Sequence, residues 1–575
     1  MHHYGLDPSH YVSAPALSWD GMLKMTGVKI ELFTDMTMHD FTEKAKRGGI
    51  AMAGHRFLKA NNPKMGDSFN PSKLGMPKVR NFAIGFAIRF YRSVLRSVRF
   101  QLKTAVLKPK PNRTDRWHPY SKPTTWISYV DANNLYGWAM SQYLPIGNYR
   151  WEASPEYFKQ NPDKQKQILN VILNTKPDAA CGYFLNIKAH FPLKTHDYLQ
   201  DLPPAVDSIA VKKDRLNPYI TKLVDNLDGG RFPETKKLVP HLGKHEDYVI
   251  HYQELQYYIK LGMVVDEITQ VLSFDQDNWL APYIAKNTNL RQQSKNSFEK
   301  DFFKLMNNSV YGKTMENYAR QLGNTLVGAH MGKASVILNK PIIIGASVLG
   351  LSKLLMYRFW YGFVKEKYGN KVRLGYMDTD SFIYHVETED IYKDMAERPD
   401  LFDLNDTKTI GLFKDETPGN VITESYHIRA KSYHYVLADK STKSKHKGVS
   451  KKGMSDMAKD TYFPSLGGTL LDDTVEKDEI FDPMTQVYRD CLFKNGVFYA
   501  KNVGMRTKNH VISLIESEKK ALSPIDTKRW IWSDGISSLP FGHWRIQVYK
   551  KLLERGTSHE AAEKIAIGTR LPEKY

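Results

Sequence analysis

Cysteine is almost absent from this sequence of 575 residues. The two cysteines, Cys181 and Cys491, are far apart in the chain, which excludes a disulfide framework and a zinc site built on closely spaced cysteines. The N-terminal segment has no apolar stretch of the signal-peptide kind, and we find no run of about 18 apolar residues that predicts a membrane span. We therefore expect an intracellular protein that does not act at a membrane.

Basic residues outnumber acidic ones in this chain. It has 82 lysines and arginines against 62 aspartates and glutamates, a formal net charge of +20. Hydrophobic residues make up 41% and aromatic residues 12%, which is typical of a folded protein. This charge favours a polyanion as the partner, and nucleic acid is the first candidate. The composition also allows a basic protein with another partner.

Two aspartates lie in the apolar and aromatic segment GYMDTDSFIYHV, residues 375–386. Asp378 and Asp380 are separated by Thr379 alone, and the flanking residues predict two buried strands joined by a turn. Two carboxylates that stay ionised beside apolar neighbours require a compensating positive charge. The pattern favours a hard cation such as Mg²⁺, whereas a solvated hairpin turn is the alternative.

A third aspartate, Asp131, follows the β-rich stretch Trp126–Val130 and precedes a stretch that favours a helix, Leu135–Tyr143. Two-metal phosphoryl transfer needs carboxylates from separate strands, so Asp131 is a candidate partner for Asp378 and Asp380. The alternative is an Asx turn at the start of the following helix.

Residues 279–317 have a long helical pattern, interrupted around Asn296 and Ser297. Residues spaced for a shared helix face occur on both parts of this pattern. They are Arg291 and Lys295, and Lys304, Asn308 and Tyr311. Cations on such a face can hold a triphosphate and a tyrosine can stack on a base, although Arg291 and Lys295 can also be ordinary surface charges.

Taken in order, these segments resemble family B DNA polymerases. YVDANNLYGWAM is similar to motif A of that family, KLMNNSVYGK to motif B, YMDTDS to motif C and KSY to the KxY motif near the primer terminus. KRGG at residues 46–49 is similar to the YxGG element, with Lys46 in place of the tyrosine. The sequences of these motifs most resemble those of the protein-primed branch, which is found in viruses, linear plasmids and virus-like DNA transposons.

The resemblance implies an α/β (α+β) right-hand fold and a division of the chain. The expected parts are residues 1–60 with the RGG element, a basic inserted segment 61–121, a palm part 122–278 with motif A, fingers 279–320 with motif B, a palm part 321–440 with motif C and KxY, and a thumb and C-terminal region 441–575. Within 61–121, residues 75–121 include a basic amphipathic helical pattern, Phe82–Lys103, without a counterpart in the family.

The resemblance also implies site residues and partners. The expected catalytic and metal-binding residues are Asp131, Asp378 and Asp380, with two Mg²⁺ ions for which Mn²⁺ can substitute. The expected nucleotide-binding residues are Lys304, Arg291, Lys295, Tyr136, Leu135, Asn308 and Tyr311. The expected DNA-binding residues are Lys431, Tyr433, Arg47, Gly48, Gly49, Thr379 and Lys447. The expected partners are template-primer DNA, dNTPs and a terminal priming protein.

Family members carry a 3′–5′ exonuclease domain before the RGG element, and the acidic motifs of that domain are not found in this sequence. The resemblance therefore implies a DNA-directed DNA polymerase, a nucleotidyltransferase of DNA replication, that lacks proofreading. A reverse transcriptase is disfavoured because its paired aspartates would be adjacent, whereas Thr379 separates them here. The alternative is an inactive fragment of a viral or mobile-element polymerase that only binds DNA.

The net charge leads to a prediction about DNA affinity. Binding to duplex DNA should be independent of sequence and should weaken steeply as salt rises, because lysines and arginines release counterions from the phosphates. The lysine-rich segment contributes five of these charges, at positions 443, 445, 447, 451 and 452. The measurement is the slope of log K against log[salt], and a flat line would contradict a phosphate-tracking surface.

Overall fold

A computed structural model describes residues 3–68, 123–227, 229–316, 319–323, 326–329, 339–463 and 482–571. The basic segment 75–121, with its helical pattern at Phe82–Lys103, lies outside these residues.

The helices occur throughout the described chain. In order they are α1 (Ala14–Thr26), α2 (Met36–Ala45), α3 (Leu135–Met140), α4 (Pro155–Gln160), α5 (Lys164–Leu173), α6 (His196–Leu199), α7 (Pro218–Leu227), α8 (Tyr252–Lys260), α9 (Ala281–Gln293), α10 (Ser297–Thr314), α11 (Ile342–Phe359), α12 (Lys365–Tyr368), α13 (Ile391–Ala396), α14 (Lys451–Tyr462), α15 (Pro483–Phe493), α16 (Trp544–Glu554) and α17 (His559–Gly568).

The strands alternate with these helices. In order they are β1 (Ala51–Ala53), β2 (Phe57–Lys59), β3 (Thr125–Ala132), β4 (Leu144–Ala153), β5 (Cys181–His190), β6 (Asp207–Ala210), β7 (Lys236–Val239), β8 (His245–His251), β9 (Val264–Asp277), β10 (Ala319–Gly323), β11 (Leu326–Ala329), β12 (Val372–Asp378), β13 (Ser381–Glu387), β14 (Phe413–Asp415), β15 (Ile422–Arg429), β16 (Ser432–Leu437), β17 (Thr442–His446), β18 (Phe498–Lys508), β19 (Val511–Leu522), β20 (Trp530–Ile531) and β21 (Ser538–Leu539).

A nine-stranded sheet forms the centre of the fold. Its main path runs β1-β12-β13-β3-β15-β16-β17, with β14 paired to β3 and β2 paired to β15. The predicted hairpin is β12-β13, and the predicted strand before Asp131 is β3, which pairs with β13. Both hairpin strands are almost wholly buried, so their near-continuous apolar sequence reflects a sheet covered on both faces.

A second sheet of four strands, in the order β4-β9-β5-β8, lies beside the central one. It packs with α8 in the same hydrophobic core as much of the central sheet, whereas the short hairpin β6-β7 packs mainly with the C-terminal region. This confirms the mixed helix and strand content expected from the sequence.

The helical region predicted over 279–317 is the pair α9 and α10. The predicted interruption is also present, because Asn296 caps α10 by accepting a hydrogen bond from the Glu299 amide at 2.8 Å. Helix α1 packs on α10, and the Ser18 hydroxyl donates to the Met306 carbonyl. The N-terminal helices therefore belong to the same body as the helix pair.

The apolar stretch that follows Pro341 is helical as far as Lys367. Helix α11 continues through a π turn, Trp360–Val364, into α12. Nearly every residue of α11 is buried, so its sequence has no polar face from which a helical period could be recognised.

By length and composition the stretch Ile342–Lys371 could also cross a membrane, which the sequence analysis did not identify. However, 89% of the most apolar 18-residue part of this stretch is buried inside the protein. There Phe359 stacks on Phe382 and Phe413 of the central sheet. This packing is typical of a core helix.

Candidate active site

Asp131 and Asp380 lie side by side because of the strand register. Ser381 at the start of β13 is opposite Asp131 near the end of β3, and the Ala132 amide donates to the Asp380 carbonyl at 2.7 Å. Between the strands of the hairpin, Thr379 and Asp380 form a two-residue turn in which Thr379 has a positive φ of 63°. The register thus brings together two aspartates that are remote in sequence.

Burial of this pair is unfavourable to two negative charges. Burial, followed by the charge of Asp380, raises the pKa of Asp131 to about 7. Burial likewise raises the pKa of Asp380, and the charge of Asp378 adds to the effect. Lys414 compensates in part, since its Nζ is 3.5 Å from Asp131 Oδ1. Further positive charge near these two carboxylates would therefore stabilise their ionised forms.

Asp378 has a different environment from the other two aspartates. Only 6% of the residue is exposed, and its carboxylate already has two lysine partners. Lys431 Nζ lies 2.5 Å from Oδ1, and Lys445 Nζ lies 3.9 Å from Oδ2. The structure therefore divides the three predicted catalytic aspartates into an under-compensated pair and one that is paired with lysine.

A cavity of about 210 Å³ opens in front of Asp131 and Asp380. The predicted site residues in its wall come from β3, α3, α9, α10 and the β12-β13 turn. They are Asp131, Leu135, Tyr136, Arg291, Lys304, Asn308 and Asp380. Carboxylates therefore lie on the sheet side of the cavity and cations on the helix side.

The two predicted tyrosines contact each other beside this cavity. The rings of Tyr136 and Tyr311 stack with centroids 4.5 Å apart and an interplanar angle of 10°. Tyr136 lines the cavity, whereas Tyr311 supports it from α10. Asn134 starts α3 in the left-handed conformation, and its Oδ1 accepts from the Gly137 amide at 3.3 Å, which places Tyr136 on the first turn.

Two lysines that were not predicted from the sequence also line the cavity. They are Lys408 and Lys414. Lys414 is on β14, directly opposite Asp131 in the ladder. Lys408 is on a loop fixed by the Asp403 carboxylate, which accepts hydrogen bonds from the Lys408 amide at 2.7 Å and the Asn133 side chain at 2.8 Å. GLFKDE is a short apolar and charged segment, and only its pairing with β3 reveals its role.

The predicted KxY residues lie on the other side of Asp378. The Lys431 amide donates to the Tyr376 hydroxyl at 2.8 Å, and the hydroxyls of Tyr433 and Tyr129 are 2.9 Å apart. Lys447 is close by, because its amide donates to the Lys431 carbonyl at 3.1 Å. Lys431 and Lys447 therefore place exposed positive charge next to Asp378, whereas Tyr433 is buried beneath them.

The glycine of the RGG element is packed against the aspartate turn. A Cβ on Gly49 would lie 2.4 to 2.8 Å from the side-chain atoms of Thr379, so only glycine fits there. The adjacent Ile50 carbonyl accepts from the Thr379 amide at 2.7 Å. By contrast, a Cβ on Gly48 would have no neighbour within 4 Å.

Arg47 and Lys295 are among the predicted residues that do not line the cavity. Arg47 is 8% exposed, donates to the Val249 carbonyl at 2.7 Å and lies 3.7 Å above the Tyr248 ring. The contact of Arg47 with DNA stays a prediction, since in this structure its side chain contacts groups of the protein itself. Lys295 lies exposed in the connection between α9 and α10, outside the cavity wall.

No family model and no curated protein matches the chain. Among solved structures it is similar to phi29 DNA polymerase complexed with primer-template DNA and incoming nucleotide substrates, with a TM-score of 0.45 and 13% identity over 89% of this chain and 68% of that one. The phi29 binary complex with primer-template DNA gives a TM-score of 0.46 at the same identity and coverage.

A family B DNA polymerase from the archaeon Pyrobaculum calidifontis gives a TM-score of 0.22, with 13% identity over 61% of this chain and 32% of that one. At these scores the function has to be argued from the side chains of the site.

The contact between Gly49 and Thr379 generates a prediction. Gly49→Ala should displace the aspartate turn, because the new Cβ overlaps the threonine side chain. Amide hydrogen exchange in the peptide that covers residues 378–381 should become faster, as measured by mass spectrometry.

The matched control is Gly48→Ala, whose Cβ has open space and should leave exchange unchanged. The double variant Gly49→Ala/Thr379→Gly removes the overlapping atoms, and glycine tolerates the positive φ of the turn. Protection should therefore return, and a double variant as fast as Gly49→Ala would contradict the steric explanation.

Proposed function

We propose that this chain is a DNA-directed DNA polymerase of the family B type, which transfers nucleotides from dNTPs to a 3′ hydroxyl. The observation that carries the proposal is the cavity with Asp131 and Asp380 on one wall and Arg291 and Lys304 on the other. A nucleoside triphosphate with a divalent ion requires this combination of carboxylates for the ion and cations for the phosphates.

The residues fit Mg²⁺ well. Mg²⁺ prefers oxygen ligands, and the Asp131 and Asp380 carboxylates supply them from a partly buried place where their charges are under-compensated. When bound there, two such ions would activate the attacking hydroxyl and stabilise charge at phosphorus. Asp378 is expected to contribute less, because Lys431 and Lys445 already compensate its charge.

The helix side of the cavity supports triphosphate binding. Lys304 and Arg291 lie on two helices that pack together. The packing of these helices fixes the distance between the two cations. Lys408 extends this positive wall from the Asp403 loop. We propose that these three cations hold the phosphates and that Lys414 orients Asp131.

The aromatic pair supports binding of the sugar and the base. We propose that Tyr136 lies under the sugar and excludes a ribose 2′ hydroxyl, and that Tyr311 holds its ring in place by stacking at 4.5 Å. Leu135 and Asn308 complete the same part of the wall.

Template-primer DNA is the proposed partner beyond the cavity. Lys431, Tyr433 and Lys447 continue along the sheet edge from Asp378, which supports a path for the primer strand over the aspartates. In this proposal the central sheet is the palm, α9 and α10 are the fingers, and the region after residue 441 is the thumb. A terminal priming protein is a further proposed partner, based on the branch that the motifs resemble.

The aspartate pair leads to a test of the activity. Asp131→Asn or Asp380→Asn should lower primer extension with Mg²⁺ by at least about a hundredfold, because several kcal/mol of metal-dependent stabilisation would be lost. Asp378→Asn should have a smaller effect. Incorporation into a labelled primer-template measures the rate, and a gel shift at low salt checks that duplex binding is retained.

The control is Asp400→Asn, which changes an exposed carboxylate that pairs with Arg398 and does not line the cavity, and it should leave extension unchanged. Full activity in either variant of the pair would remove the assignment. A wild-type chain that binds DNA but never extends a primer would instead support the inactive DNA-binding fragment.

The position of Tyr136 leads to a test of sugar selection. Tyr136→Val should raise incorporation of ribonucleotides relative to deoxyribonucleotides by about tenfold or more, since removal of one steric contact is worth that much discrimination. Tyr136→Phe keeps the ring that stacks on Tyr311 and should keep the selectivity of the wild type. Equal selectivity in the valine variant would exclude this role for Tyr136.

A further inference from the structure

Two buried histidines and one aspartate lie together where the β6-β7 hairpin meets β8 of the second sheet, and none of them lines the cavity of the proposed active site. His245 begins β8, His241 lies in the connection that leads to it, and Asp207 begins β6. One possible ligand atom of each residue lies within 4.8 Å of those of the other two. The two imidazole rings stack with centroids 4.3 Å apart.

Three of the four ring nitrogens of these histidines lack hydrogen-bond partners in the described part of the chain. His245 is 1% exposed, and neither Nδ1 nor Nε2 has a hydrogen-bond partner. His241 is 7% exposed, and its Nε2 is also without one. Buried polar atoms almost always have a partner, so three unpaired nitrogens at one place point to a missing ligand.

We propose that Asp207, His241 and His245 form a binding site for a Zn²⁺ ion. Imidazole nitrogen and carboxylate oxygen are common ligands of zinc, and three protein ligands leave a fourth position for water. The site is distinct from the Asp131 and Asp380 pair in place and in chemistry, since nitrogen ligands favour zinc over magnesium.

The surroundings keep the ligands in the form that binds a metal. Burial, followed by the neighbouring charges of His241 and Arg47, holds the pKa of His245 well below its usual range, so the ring is neutral. Burial lowers the pKa of His241 to about 4, against the raising effect of Asp207 and with Arg215 as a further lowering charge.

Two existing contacts must adjust when the ion binds. Asp207 uses Oδ1 for the Ser208 amide at 2.8 Å and for Arg47 at 3.7 Å, so Oδ2 is the oxygen to offer. His241 Nδ1 accepts a hydrogen bond from the Gly243 amide at 3.1 Å, so the proton of the neutral ring is on Nε2. For Nε2 to bind the ion, this proton moves to Nδ1 and the hydrogen bond from Gly243 breaks.

A zinc ion here would cross-link segments that are far apart in the sequence. It would join the β6-β7 hairpin to β8, and the segment after His241 pairs with the C-terminal region, where the Leu242 amide donates to the Phe541 carbonyl at 2.8 Å. The role that follows is a structural one.

The test is zinc binding by the purified full chain, with excess Mg²⁺ present to occupy the aspartate pair. Competition with a chromophoric zinc chelator gives affinity and stoichiometry, and a visible absorption band with Co²⁺ reports the ligand field. The wild type should bind one equivalent. His245→Ala and His241→Gln should each bind zinc more than about tenfold more weakly and lose the Co²⁺ band.

Two control variants should bind zinc as the wild type does. His190→Gln changes a half-exposed histidine that pairs with Asp266, and Asp131→Asn changes the aspartate pair. Zinc should also raise the unfolding temperature of the wild type but not that of His241→Gln, which keeps the test decisive if His245→Ala does not fold. No binding by the wild type, unchanged binding by His241→Gln, or loss of binding in Asp131→Asn would overturn the proposal.

Discussion

The antiparallel register between β3 and β13 is the constraint on which the site depends. It places Asp131 opposite Ser381, so that the carboxylates of Asp131 and Asp380 meet at one edge of a sheet that is buried on both faces. A shift of one residue would turn every side chain of a strand to the opposite face. The core packing of Phe382 against α11 therefore holds the geometry of the aspartate pair as well as the fold.

The positive charges around the three aspartates are distributed unevenly, and this difference separates Asp378 from Asp131 and Asp380. Asp378 forms ion pairs with Lys431 and Lys445, whereas among the described residues only Lys414 forms an ion pair with the other two aspartates, through Asp131. Lys445 and Lys414 act on Asp380 from a longer distance. Burial of like charges is costly unless a counter-charge is present. The pair of Asp131 and Asp380 is therefore the part of the proposed active site at which we propose that metal ions bind.

The N-terminal segment acts as a support for the aspartate turn. Gly49 packs on Thr379 without space for a side chain, and β1 pairs with β12 next to Asp378. On the other side, the buried Lys353 donates to the Arg47 carbonyl at 2.9 Å, and burial lowers the pKa of this lysine to about 8. Arg47 itself lies between this turn and the histidine cluster, so the proposed zinc site borders the same support.

The sequence by itself determined the local elements: the β12-β13 hairpin, the strand that carries Asp131, the helix pair with Lys304, and the resemblance of their motifs. These follow from alternation, helical spacing and capping, which act over a few residues. Only the tertiary structure decided that Lys414 lies opposite Asp131, that Arg47 is buried, that α11 is helical throughout, and that His241 and His245 meet Asp207. These depend on pairing between distant segments and on burial from all sides, which leave no periodic signal in the sequence.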